Sequence, residues 1–220
     1  MTYKLQFAEL LPYWDILLHG LIFTIVLTVI STVAGIAVGT AGAAARTFGP
    51  KWLDPIVAAY VEIVRNTPFI VQLFFIFFGL PAAGVKLTET TAAFLAMVFN
   101  LGAYSTEIIR AGIEAVPKAH IEAGESLAMS RLQILRWIVL KQAFQKVYPA
   151  LASQIIIVML GSAVVSQISA EDLTYAANYI QSRNFRAFEV YLVVALLYLL
   201  LAIAARAILR GVGRIIFPKA

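Results

Sequence analysis

The sequence predicts an all-α integral membrane protein with five transmembrane helices, its N-terminus outside and its C-terminus in the cytoplasm. Three observations carry that expectation. Of the 220 residues 61% are hydrophobic and only 13% charged, with a mean hydropathy of +0.87, whereas a soluble domain is roughly 45–50% apolar and 25% charged. Five runs reach the roughly 20 apolar residues needed to cross a bilayer as helix. The basic residues fall unevenly between the segments joining those runs, which fixes an orientation.

Taken in order, residues 1–19 hold one basic residue, Lys4, and no small-residue cleavage pattern, and the apolar run after them exceeds a signal-peptide core. They read as a short amphipathic interfacial segment before an uncleaved first span. That span covers about 21–45, where Gly35 and Gly39 present a small-residue face to another helix. The second covers about 52–80. Pro68 within it removes a backbone donor, so a kink or break is expected, with the Val64 carbonyl left unpaired. The third, fourth and fifth spans cover about 91–111, 148–168 and 188–209, and a tail occupies 211–220.

Between the third and fourth spans, 117–146 forms a charged island. Pro117 opens it, and Lys118 to Met129 are helix formers carrying Glu122 and Glu125. Ser130-Arg-Leu-Gln133 has capping-box spacing, so a second helix begins at Ser130 and carries Arg131, Arg136 and Lys141 before Pro149 opens the fourth span. The residues alone leave two readings open: a helix docking in a groove of a soluble partner, or an amphipathic loop resting on headgroups. On the other side, 169–186 holds Glu171, Asp172, Arg183 and Arg186 and is long enough for a short extracytoplasmic helix or gate.

With the N-terminus outside, twelve of the seventeen basic residues face the cytoplasm: Arg46, Lys51, Arg110, Lys118, Arg131, Arg136, Lys141, Lys146, Arg206, Arg210, Arg214 and Lys219. The net charge of +5 then suits contact with anionic membrane lipid, and nucleic acid is not needed to explain it. The absence of cysteine excludes disulfides and thiolate-bound metals, and two separated histidines argue against a histidine-rich metal site. His19, Tyr13, Trp14 and Trp52 read as interfacial anchors.

Polar groups inside spans are costly unless they face a pathway or a partner. Those nominated as pathway residues are Asn66, Thr67 and Gln72 beside the Pro68 break, Asn100, Tyr104 and Glu107 on one face of the third span, and Gln154, Ser162 and Ser166 in the fourth. Glu62 with Arg65, and Glu107 with Arg110, each three residues apart, read as structural ion pairs.

The string from Glu122 to Ala143, EAGESLAMSRLQILRWIVLKQA, resembles the "EAA" loop of bacterial ABC importer permeases, approximately E-A-A, three residues, G, nine residues, I, one residue, L-P. Glu122-Ala123-Gly124 matches the triplet, with Ile138 and Leu140 in their places. Gly124, Ala128 and Lys141 depart from its alanine, glycine and proline, and at Ala128 the turn loses a glycine's freedom at positive φ. Tyr60 to Phe75, Gly102 to Ile113 and Ser182 to Tyr191 are similar, in order, to further motifs of the polar amino acid permeases, so the resemblance covers most of 20–210.

That resemblance implies a type I importer fold and a transmembrane domain over about 20–210. It implies a second permease subunit, a dimer of ATP-binding subunits holding ATP and Mg, and a periplasmic substrate-binding protein. Glu122, Ala123, Gly124, Glu125, Ala128, Ser130 and Arg131 would be the residues that couple to the ATPase. The chain itself has no G-x-x-x-x-G-K-[ST] loop to cradle phosphates, and as a permease it is expected not to be an enzyme. The family often carries a lysine and a polar partner before the serines of the fourth span, whereas Met159 to Val165 holds no charge. Either this is the non-contacting half of a heterodimeric pathway, the reading favoured here, or polar and backbone groups alone hold the solute. The alternative function is a stand-alone channel or ion-coupled carrier using Glu62, Glu107 and Arg110, although carriers commonly show internal repeats and none is visible. An intramembrane enzyme lacks a nucleophile, base and orienting group.

Overall fold

The computed structural model describes residues 4–217. Met1–Tyr3 of the expected interfacial segment and Lys219 of the tail lie outside the described residues. A 3-10 turn at Phe7–Tyr13 leads into α1, Trp14–Phe48. Then follow α2 (Leu53–Arg65), α3 (Phe69–Ala82), α4 (Glu89–Glu114), α5 (Lys118–Ser126), α6 (Arg131–Ile168), α7 (Leu173–Asn184) and α8 (Ala187–Ile216). α1, α4, α6 and α8 are each long and apolar enough to cross a membrane, and α2 with α3 makes a fifth candidate span bent by 110°.

The second run is therefore two helices at an angle. Its break spans Asn66 to Pro68, where Pro68 adopts an extended ψ of 140°. α1 begins at Trp14, ahead of the apolar run, because Leu17 packs with Leu10, Leu173 and Ala177 at this end. The fourth span also starts earlier than expected. Arg131 to Ile168 is one continuous rod in which Pro149 is interior, so the second helix of the island and the span are a single element. A π turn at Ile134–Val139 lies near its start and a 3-10 turn at Ser162–Ile168 ends it.

α4 is the hub. Its most apolar stretch is 61% buried within the chain, against 6% for α8, which leaves the flank of α8 to lipid or another subunit. The small-residue face of α1 lies directly on α4. A Cβ on Gly35 would sit 2.9 Å from Leu101, and one on Gly39 only 2.4 Å from the Ser105 Cβ. The two backbones thus approach as the Gly35–Gly39 spacing predicts. Met97 and Leu101 of α4 fill the middle of the core with Leu27, Leu73 and Val165. Ile109 and Ile113 form a second cluster with Ile134, Leu135 and Val139 of α6.

Candidate functional site

Two features stand out, the surface island at one end and the polar break between α2 and α3, exposed at Asn66 to Pro68 and backed by the buried Gln72. In the island, α5 ends as the sequence predicts near Ala128. The Met129 amide donates to the Gly124 carbonyl at 3.1 Å and the Ala128 amide to Glu125 at 2.9 Å, a Schellman closure. That closure holds Ala128 at a φ of +55°, a conformation that costs an L-residue roughly 1–2 kcal/mol. Ser130 then caps α6 with both arms of the capping box: its hydroxyl accepts from the Gln133 amide at 3.4 Å, and its own amide donates to Gln133 Oε1 at 2.7 Å.

The island is fastened from beneath. Gly124 is buried, and a Cβ there would lie 2.8 Å from Ile138 and 3.0 Å from Ile134, so glycine lets α5 settle on the π turn of α6. His120 bonds Gln142 at 2.8 Å, and Lys146 donates to the Ala115 carbonyl at the end of α4. α5 is thus fastened to α6, and α6 in turn to the end of α4. Facing outward are Glu122, Ala123, Glu125, Ala128, Ser130 and Arg131, together with the large apolar Leu127 (76% exposed), Leu132 and Trp137. A charged rim of Glu122, Glu125, Arg131 and Arg136 around exposed apolar anchors is the composition of a protein-docking surface.

At the break, the Val64 carbonyl does not stay unpaired. Gln72 Nε2 donates to it at 2.7 Å and also reaches the Thr67 carbonyl and hydroxyl at 2.9 and 3.1 Å. Its Oε1 accepts from Asn100 of α4 at 3.0 Å. Gln72, only 8% exposed, is therefore the splice that replaces the lost helical bonds and ties the break to α4. Thr67 donates to Ile63 at 2.8 Å and Asn66 to Glu62.

The expected pair of Glu62 with Arg65 does not form. Glu62 Oε2 accepts from Asn66 at 2.9 Å, and the Arg65 guanidinium lies 5.5 Å from the Tyr104 ring centroid. An aromatic face on the adjacent helix attracts the guanidinium through its ring quadrupole. Glu107 and Arg110 do pair, at 2.8 Å, within a larger chain. Arg46 of α1 bridges Glu107 and Asp54, and Arg110 also reaches Glu114, so charge braces α1, α2 and α4 together. Arg46 and Asp54 were not legible as partners because they are far from Glu107 in sequence. Gln154, Ser162 and Ser166 stand apart from these networks: Ser162 and Ser166 donate to their own helix at Met159 and Ala163, and no bond to the Gln72 cluster is present among the described residues.

At the opposite end, the loop at 169–186 folds into α7. Asp172, fully buried, caps it by accepting from the Tyr175 amide at 2.8 Å and from the Tyr198 hydroxyl at 2.9 Å. Burial pushes its carboxyl up to about 6. His19 faces Glu171 at 3.7 Å, both exposed.

A bundle built around a broken, side-chain-spliced helix, with a rigidly mounted helical platform at one face, defines the membrane-embedded subunit of a transporter. The chain belongs to the family of binding-protein-dependent transport system inner membrane components, whose model matches residues 31–216. It is a multi-pass inner-membrane protein of the ABC permease type. The glutamine transport system permease protein of Escherichia coli is 31% identical over 213 residues, covering 96% of this chain and 97% of that one. The L-cystine transport system permease protein of Bacillus subtilis is 36% identical over 187 residues, covering 84% and 80%. A crystal structure of an amino acid ABC transporter with histidines superimposes with a TM-score of 0.86 at 33% identity, covering 96% and 99%.

Proposed function

We propose that this chain is the translocation-pathway subunit of an ATP-driven importer for polar amino acids. In this reading a second permease completes the pathway, and a periplasmic binding protein delivers solute at the end that carries α7. A dimer of ATP-binding subunits, holding ATP and Mg, docks on the island at the cytoplasmic face. The positive-inside distribution supports that orientation. The glutamine and cystine relatives and the amino acid transporter structure support the solute class.

The observation that carries the reading is the island itself. Glu122, Glu125 and Leu127 project outward from a helix seated through Gly124 on Ile134 and Ile138. Closure of an ATPase pair on ATP binding would be delivered through α5 to α4 and α6, and so to the Asn100–Gln72 splice. The carrier alternative would need Glu62, Glu107 and Arg110 free to titrate or bind ions, and each is engaged in a bond or ion pair.

The test is Glu122→Lys in the assembled system. ATP-driven uptake and co-purification of the ATPase should both fall by tenfold or more while membrane insertion is retained, since like-charge juxtaposition at an interface costs several kcal/mol. Undiminished uptake by a preparation free of any ATPase would overturn the reading.

A further inference from the structure

A cleft of about 930 Å³ opens between α6 and α8 at the island end, lined by none of the island's outward residues and none of the residues of the Gln72 splice. Tyr148 of α6 donates to the Leu209 carbonyl of α8 at 2.6 Å and stacks edge-on against Phe217. Gly213 admits that ring, because a Cβ there would lie 2.4 Å from it. These contacts pin α6 to α8 at one side of the cleft and so fix its shape. Ala152, Ile156 and Leu209 give it an apolar lining, and Arg206, Arg210 and Arg214 line its wall.

Those arginines stand four residues apart, on one face of α8, and all three are exposed. Like charges at that spacing destabilise a helix. Six of the other seven arginines are compensated: Arg46, Arg110 and Arg186 pair with carboxylates, and Arg65, Arg136 and Arg183 lie over aromatic rings; the seventh, Arg131, is on the outward face of the island. Among the described residues no carboxylate lies in ion-pair range of Arg206, Arg210 or Arg214. A three-arginine wall beside an apolar lining, around the cytoplasmic end of the fifth expected span, matches one occupant in both halves: an anionic phospholipid, its phosphodiester among the guanidiniums and its acyl chains along Ile156 and Leu209.

We infer that this cleft is a binding site for an anionic phospholipid of the leaflet on the island side. Native mass spectrometry of the assembled transporter, titrated with dioleoyl phosphatidylglycerol or dioleoyl phosphatidylcholine, tests this directly. The wild type should retain phosphatidylglycerol adducts in preference to phosphatidylcholine. Arg210→Gln should weaken that retention roughly fivefold, and R206Q/R210Q/R214Q roughly 100-fold, while Arg183→Gln at the opposite end should leave it unchanged. Equal retention of the two lipids by the wild type, a comparison that needs no variant, would overturn the inference. So would undiminished phosphatidylglycerol on a correctly assembled triple variant, or displacement of the lipid by millimolar inorganic phosphate, which would assign the site to a soluble anion. Loss of a protein subunit from the triple variant with lipid retention intact would assign the cleft to a protein contact and overturn it equally.

Discussion

Ala128 occupies the turn where the related pattern places glycine, and the structure shows the consequence at that one residue. Its φ of +55° is imposed by two hydrogen bonds that close α5. Ala128→Gly relieves the strain, partly offset by glycine's larger unfolded-state entropy. It should stabilise the protein by about 1 kcal/mol, seen as a rise of roughly 2–4 °C in the thermal midpoint in detergent. Asp172 makes a second residue-scale prediction. Its folded value of about 6 lies above the usual carboxylate range near 3.9, so burial favours the protonated fold. The contribution is present below about pH 4 and is lost as pH rises through about 6, amounting to on the order of 2–3 kcal/mol. Asp172→Asn retains an acceptor for the Tyr175 amide, so a thermal melt series from pH 4 to 8 should be flatter for the variant. Nothing in the sequence separated Asp172 from Glu171 beside it. Its burial depends on Tyr198, on α8, folding over it.

At the scale of the element, the broken helix and the α1–α4 contact carry the architecture. Gln72→Leu removes the donor to Val64 and the acceptor for Asn100, leaving several buried polar groups unpaired in a low-dielectric setting. The cost should be about 3 kcal/mol, and the thermal midpoint should fall well below that of Thr67→Val, which loses only local bonds. Gly39→Ala would place a methyl 2.4 Å from Ser105 and should destabilise by roughly 1–3 kcal/mol, whereas Gly161→Ala, with open space around it, should be close to neutral. The break at Pro68, the glycine face and the two-helix island were legible because each depends on residues close together in sequence. The role of Gln72 as a splice was not, since it depends on which carbonyl the break exposes and on Asn100 arriving from another helix. For the same reason the Glu107–Arg110 pair was legible, while its extension to Arg46 and Asp54 required the packing of α1 and α2 on α4. Pro149 misled for the opposite reason: proline usually ends a helix, yet the rod from Arg131 to Ile168 runs through it.

At the scale of the whole molecule, composition and the five apolar runs were enough to place the chain in a membrane as helices. The bent α2–α3 pair and the long α6 are where the described helices depart from simple spans. In the proposed function the molecule would work as a lever: α5 at one face, α4 and α6 as arms, and the Gln72–Asn100 splice linking the broken helix to α4. The central claim is that α5 seats an ATP-binding subunit. Because the chain contains no cysteine, a single Leu127→Cys carrying a maleimide benzophenone reports directly on what touches that exposed position. Photolysis of the assembled transporter should join this chain to the ATP-binding subunit, with a yield that changes on adding ATP and Mg. Adducts to lipid alone, with none to the ATP-binding subunit in an intact complex, would contradict it.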